Sequence, residues 1–204
     1  MKNKIKILLT GSGGFIGKNI LDQLGGKYDF ITPRSLELNL CDFEAVQDYI
    51  KNCHPDFVIH GANLGGIRRK NDSDDTLEMN LKMFFNIVSC KKYFGRMIMF
   101  GSGSEYGKQD DISQVKETDF EKKIPADKYG LYKYICAQYA QQVDFITHLR
   151  IFGIFGKYEN YCFRFISNNI CCTLLNLPIS INQDVYFDYI FVNDFVKIVD
   201  HFIP

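Results

Sequence analysis

Hydrophobic and polar positions along this chain switch repeatedly between a period of two and a period near 3.6. Ile5 to Thr10 is an aliphatic run with a polar start, which predicts a first strand. Gly11 to Gly14 break it, and Phe15, Ile16, Ile20, Leu21 and Leu24 then recur at helical spacing until Gly25-Gly26 stop them. Tyr28 to Thr32 predicts a second short strand, ended by Pro33, and Phe43 to Lys51 a helix with Asp42 as its N-cap. Asp56 to His60 reads as a third strand, Asp75 to Tyr93 as a long helix, and Arg96 to Phe100 as a fourth strand. Lys128 to Val143 is a further helix and Thr147 to Phe152 a fifth strand. This β-α-β-α order predicts an α/β fold, a doubly wound parallel sheet with helices on both faces. A ligand then belongs at the carboxyl ends of the strands, near the switch point.

Composition narrows the class without changing this picture. The chain has 204 residues, 46% of them hydrophobic and 24% charged, an ordinary globular balance that excludes disordered and fibrous classes. Lys+Arg and Asp+Glu are both 24, and a zero balance argues against a nucleic-acid or membrane surface. No apolar run reaches the ~18 residues of a membrane span, and the basic start gives way to glycines too soon for a signal peptide. The seven cysteines are odd in number and contain no C-x-x-C, so they read as buried thiols of a reducing, cytoplasmic compartment rather than a disulfide or zinc framework. His54, His60, His148 and His201 show no metal spacing; His60 reads as a packed histidine, and no metal is expected. Asp72, Asp74 and Asp75 read as a solvated helix start, and Arg68-Arg69-Lys70 as a solvated loop with a possible diphosphate contact.

The chemistry begins at Gly11, Gly14 and Gly17, a G-x-x-G-x-x-G pattern between a strand and a helix, the context that a dinucleotide cradle requires. Gly11 permits the tight turn, Gly14 lets the backbone approach a pyrophosphate, and Gly17 lets the helix pack on the strand. The helix N-terminus adds free N–H groups and a favourable dipole. At the end of the second strand, Ile31-Thr32-Pro33-Arg34 presents an arginine and no carboxylate, which favours the 2′-phosphate of NADP over the 2′-hydroxyl of NAD.

A second constellation is Tyr129 and Lys133, four residues apart on one face of a predicted helix. A phenol with a pKa of ~10 is a poor acid or base near neutrality, and a nearby ammonium stabilises its phenolate. Ser102, after the fourth strand, can donate to the oxygen that Tyr129 protonates. Ser104 is either a second polar contact or a turn residue.

Taken in order, these segments resemble the extended short-chain dehydrogenase/reductase family of NAD(P)-dependent nucleotide-sugar epimerases, dehydratases and reductases, over almost the whole chain. The T-G-x-x-G-x-x-G start matches Thr10 to Gly17, and D-L-x-D corresponds to Asn39-Leu40-Cys41-Asp42. P-D-x-V-I-H-x-A matches Pro55 to Ala62, the family's helix Asn matches Asn80, and S-S-x-x-V-Y-G matches around Ser102 to Gly107. Y-x-x-x-K falls on Tyr129 and Lys133, while Arg150 to Gly156 and Phe187 to Asp194 resemble the last two motifs. The resemblance implies Ser102, Tyr129 and Lys133 as catalytic residues. It implies cofactor contacts from Gly11, Gly13, Gly14, Phe15, Ile16, Gly17, Arg34, Asn39, Leu40, Ala62, Asn80, Tyr129, Lys133 and Ile151. The cofactor it implies is NADP, with NAD as the alternative. It also implies a homodimer formed through the helices Leu77 to Tyr93 and Lys128 to Val143.

Arg34 to Asp42 and Ala62 to Ile67 look most like the GDP-fucose synthase branch, which reduces and epimerises a 4-keto-6-deoxy sugar. The Cys and His that serve epimerisation there have no counterpart: Ser104 stands at the Cys position, and Tyr158 to Ile166 contains no His. Phe187 and Gly153 replace an Arg and an Asn that commonly touch the nucleotide-sugar. Members usually continue well beyond the motif that ends at Asp194. The expectation is therefore a Rossmann-like domain over 1–156, with 157–204 forming a reduced or truncated C-terminal substrate lobe and a strand returning to the Rossmann sheet. Three activities are compatible: 4-keto reduction of a nucleotide-sugar, 4-epimerisation with tightly bound NAD, or NADP binding without turnover.

Overall fold

The structure is a computed structural model that describes residues 4–66, 72–109, 112–181 and 184–204. Five parallel strands form the main sheet in the order β2-β1-β3-β4-β5: β1 (Lys6–Thr10), β2 (Asp29–Ile31), β3 (Phe57–His60), β4 (Arg96–Ser102) and β5 (Ile146–Ile151). The order reverses between β1 and β3, which makes the carboxyl ends of these two strands the switch point of the doubly wound sheet.

Alternation along the strands supplies two cores. Leu8, Val58, Met97 and Met99 point to one face, where they meet Val46 and Ile50 of α2 (Phe43–Cys53), Phe84 and Ile87 of α3 (Thr76–Ser89), and Cys136 and Ala140 of α4 (Lys128–Gln141). Ile7, Leu9, Phe57, Ile59, Ile98 and Phe100 point the other way, against Ile20 and Leu24 of α1 (Phe15–Leu24). Strands buried on both faces read as near-continuous apolar runs, as these do.

The expected elements are present, with boundaries shifted at several ends and one strand paired elsewhere. The long helix expected over 75–93 ends at Ser89, and a single 3-10 turn, Lys91–Tyr93, completes the connection to β4. β4 runs two residues further than its apolar pattern suggests, because Gly101 and Ser102 still pair with Arg150 and Ile151 of β5. The returning strand does not join the main sheet. β7 (Tyr189–Phe191) pairs in parallel with β6 (Gly153–Phe155), which follows β5 after one residue, and the two form a separate ladder. β7 leads straight into α6 (Val192–His201), whose Phe195, Val196 and Val199 are buried in the second core with α1.

Between the two halves of that ladder lies α5 (Phe165–Leu174), none of whose residues is buried. Leu174, Leu175, Ile181 and Tyr186 are all exposed, so this segment does not supply itself with a core. Among the described residues no helix is long and apolar enough to cross a membrane, and no cluster of His, Cys, Asp or Glu could hold a metal ion. All seven cysteines are free thiols.

Candidate active site

Most of the sequence-expected residues lie at or just beyond the carboxyl ends of the parallel strands, with Tyr129 and Lys133 in the first turns of α4. At β1, the Gly14 N–H donates to the Gly11 carbonyl at 3.0 Å, closing the turn into α1. Gly11 has φ +71°, and a Cβ there would lie 2.5 Å from the Gly61 carbonyl carbon; one at Gly17 would lie 2.4 Å from the Gly11 oxygen. Gly14 is the N-cap of α1 and makes no side-chain cap, and both Gly13 and Gly14 are exposed. The first-turn N–H groups of α1 therefore face an open cradle that suits an anion. Phe15 and Ile16 are half-buried in the same turn, and Ile151, at the end of β5, packs against the second core.

At the tip of β2, Arg34 is exposed, as expected, but a carboxylate is there as well. The Arg34 N–H donates to Glu37 Oε2 at 2.7 Å, so a tight turn folds Glu37 back to a position where sequence spacing showed none. Asn39 is exposed and its Oδ1 accepts from the Cys41 N–H at 3.0 Å; Leu40 packs against the first core.

The loop after β3 is held by polar ties of long sequence range. The Ala62 N–H donates to Thr10 Oγ1 at 3.3 Å. Asn80, only 2% exposed, clamps Leu64 from both sides, accepting from its N–H and donating to its carbonyl, each at 2.9 Å. The Asn80 amide also donates to the Thr76 carbonyl at 2.6 Å, so this side chain is spent on holding the loop and has no free N–H for a ligand. Asp72 is not simply solvated: its Oδ1 accepts from the Gly66 N–H at 2.8 Å. Tyr132, which the sequence pattern did not single out, donates to Asn63. The basic triplet Arg68-Arg69-Lys70 and Ile67 lie outside the described residues.

Ser102 lies near enough to Tyr129 to pull its phenol downward. Tyr129 packs against backbone, since a Cβ on Gly66 would lie 2.4 Å from its ring. The Ser102 hydroxyl donates to Ser104 Oγ at 3.1 Å and accepts from the Ser104 N–H at 3.2 Å, which makes Ser104 a partner of Ser102. Burial pushes the Tyr129 phenol up to about 12, with Ser102 and the Arg164 charge pulling the other way. Lys133 is not among the groups that lower it. Lys133 is buried, donates to the Phe100 carbonyl, and its ammonium lies 5.8 Å from the centroid of the Tyr129 ring. Burial also lowers the Lys133 ammonium to about 8, which places its proton within reach of neutral conditions.

His60 is packed, as its position suggested. Its Nδ1 lies 2.9 Å from Thr10 Oγ1, and with Lys133 it lines a cavity of about 20 Å³. Burial, and then the Lys133 charge, lowers the imidazole to about 3. A folded value below the unfolded one means that the unfolded chain takes up the proton first. Stability is therefore full above the unfolded value of about 6.5 and falls as pH drops from there toward 3. Urea unfolding at pH 7.5 and pH 4.5 is expected to show His60→Gln losing about 2–3 kcal/mol less on acidification than the parent chain. Equal losses in the two proteins would refute the assignment.

Residues 7–204 match the family model described as the NAD dependent epimerase/dehydratase family. The chain belongs to this family. Among curated epimerase/dehydratase relatives, GDP-L-colitose synthase of Yersinia pseudotuberculosis is 31% identical over 171 residues, covering 77% of this chain and 55% of that protein. The chain thus spans about half the length of that relative. UDP-glucose 4-epimerase of Mycoplasma pneumoniae is 22% identical over 176 residues, covering 75% of this chain and 52% of that protein. Among solved structures, a GDP-mannoheptose C4 reductase from Campylobacter jejuni with NADP bound superposes with a TM-score of 0.81 at 18% identity, covering 98% of this chain and 73% of that one. The Bordetella bronchiseptica enzyme WbmG in complex with NAD gives 0.77 at 17% identity, covering 98% and 68%. These likenesses bear out the extended dehydrogenase/reductase fold.

Proposed function

We propose that this chain carries the cofactor-binding and proton-transfer part of an NADP-dependent oxidoreductase acting on a nucleotide-sugar, with 4-keto reduction as its reaction. The observation that carries the reading is the gathering around Tyr129 of Ser102, at the carboxyl end of β4, and of the Lys133 ammonium, 5.8 Å from its ring centroid. The residues fit a dinucleotide: Gly13, Phe15 and Ile16 offer backbone N–H groups to a pyrophosphate, the exposed Gly14 leaves its approach free of a side chain, Arg34 and Asn39 stand at the adenosine end, and Ala62 and Ile151 line the floor. When bound, the nicotinamide supplies or accepts the hydride. The chain's own part is to present the Tyr129 O–H to the substrate oxygen, steady that oxygen with Ser102 Oγ, and hold a positive charge at Lys133. Relatives named as GDP-sugar synthases and reductases support the substrate class.

Residues 157–188 are read as part of a substrate lobe, since they leave the Rossmann core at β6 and re-enter it at β7. The protein is read as a cytoplasmic homodimer, with the half-buried seam of Phe85 and Tyr139 on α3 and α4 as the supporting surface. A second reading, 4-epimerisation with NAD, is favoured by one observation, the Glu37 carboxylate at the β2 tip.

Fluorescence titration separates the two. Parent protein is expected to bind NADPH in preference to NADH, and Arg34→Ala to lower that preference by at least about tenfold, the loss of one charge-assisted phosphate contact. NADH preference in the parent would overturn the NADP reading and promote the epimerase. Binding of neither would overturn both.

A further inference from the structure

Glu105 is 0% exposed, so its carboxylate is closed off from solvent. It nonetheless has three partners beside the site. Oε1 accepts from the Ser102 N–H at 2.8 Å and lies 3.0 Å from His148 Nε2, while Oε2 accepts from Arg150 Nε at 2.7 Å. Arg150 Nη1 donates to the Tyr106 hydroxyl at 3.0 Å, and its guanidinium lies 5.1 Å from the centroid of the Tyr106 ring and 5.0 Å from that of Phe120. The backbone makes room for this cluster: a Cβ on Gly101 would sit 2.0 Å from His148 Nε2 and 2.6 Å from Glu105 Oε1.

A buried ion pair is a poor way to gain stability, because desolvation consumes most of the Coulomb energy and apolar residues of similar volume do as well. Its value here lies in what it fixes. Ser102 is the last residue of β4 on the β5 ladder, where chain ends are free to fray. Glu105 ties the Ser102 N–H to Arg150 and His148 of β5. In the reciprocal direction the Ser102 hydroxyl accepts from the Ser104 N–H, closing a capping box. The two bonds together define both the backbone and the side-chain direction of Ser102, and through Ser102 the phenol of Tyr129.

We propose that Glu105 is a positioning residue, which with Arg150 and His148 holds Ser102 in the geometry that meets Tyr129; the proposal rests on the reading of Ser102 as the residue that steadies the substrate oxygen. Glu105 touches no reacting atom, so its loss acts through Ser102 alone.

The test is Glu105→Gln in the full chain, read in two independent ways. Hydrogen–deuterium exchange is expected to show the Ser102 amide exchanging at least about tenfold faster than in the parent, with α1 and α3 unchanged. Turnover of NADPH with a 4-keto nucleotide-sugar is expected to fall by about 10- to 100-fold in kcat, the scale of a misplaced catalytic group, with KM and NADPH affinity held within about twofold. In a Ser102→Ala background the same substitution is expected to lower kcat by less than about threefold, because the group it positions is already gone. Should Glu105→Gln fail to fold with Arg150 left unpaired, Glu105→Gln with Arg150→Gln removes both charges and takes the same measurements. An unchanged Ser102 amide, or a loss that persists in full in the Ser102→Ala background, would overturn the proposal. Absence of turnover in the parent chain would instead sink the oxidoreductase reading, and the exchange measurement would still decide whether Glu105 holds Ser102.

Discussion

Tyr129→Phe is expected to lower NADPH-dependent reduction of a 4-keto nucleotide-sugar by about 10²- to 10⁴-fold, the usual contribution of a positioned general acid. Cofactor affinity should stay within about twofold of the parent, since no uniform binding is removed. The substitution deletes one oxygen and keeps the ring, which matters because the ring is seated against Gly66. Burial raises the phenol to about 12, so it is protonated at any working pH and enters the reaction as a donor. That suits reduction. An alkoxide left by hydride delivery is more basic than a phenolate, so transfer from Tyr129 runs downhill even from a raised pKa. The reverse reaction, oxidation of an alcohol, needs the phenolate and would be favoured by alkaline conditions. Pre-steady-state measurement of NADPH consumption gives the rate directly. A variant that reduces substrate at the parent rate would remove Tyr129 from the mechanism.

The second large effect is on the fold. Gly11→Ala is expected to cost about 2–5 kcal/mol, from a left-handed residue acquiring a Cβ and from overpacking against backbone. The atoms in the way belong to Gly61 and Ala62, which cannot rotate aside as a side chain would. The added methyl group would pry the end of β1 from the end of β3, at the switch point itself. For a chain of this size the loss corresponds to a fall in Tm of roughly 5–15 °C. NADPH binding should weaken at the same time. Gly13→Ala is the control, because a Cβ there meets nothing within 4 Å, and its cost should stay within about 0.5 kcal/mol. Thermal denaturation of both variants checks the contrast, and equal melting temperatures would show that the turn tolerates a side chain after all.

Much of this architecture could be read from local pattern. Phe15–Leu24 is a helix over the span its apolar spacing indicates, and Asp42 caps α2 by accepting from the Ala45 N–H. These features depend on neighbours within one or two turns. The site was legible for the same reason where it is written in short motifs, as at Gly11 to Gly17 and at Tyr129 and Lys133. What escaped is made of contacts between distant segments. Glu105 meets His148 and Arg150 across 43 and 45 positions, and Tyr132 meets Asn63 across 69. Glu37 reaches the β2 tip only because a turn reverses the chain. The direction of the Lys133 ammonium, toward the Phe100 carbonyl, is likewise set by burial in the assembled fold. The pairing of β7 with β6 in place of the main sheet has no local signature in three-residue strands.

That small ladder has an architectural consequence. Residues Ile154 and Ile190 are paired neighbours, so the excursion between them starts and finishes at one point on the core. A segment inserted between adjacent anchor points can be lengthened or exchanged at little thermodynamic penalty, about 0.6 kcal/mol for each doubling of a flexible loop. The Rossmann part would feel neither change, because α6 docks on α1 whatever is threaded between the anchors. The 157–188 excursion is thus a replaceable cassette. If the proposed function holds, exchanging this excursion would change substrate range and leave the dinucleotide-binding frame intact.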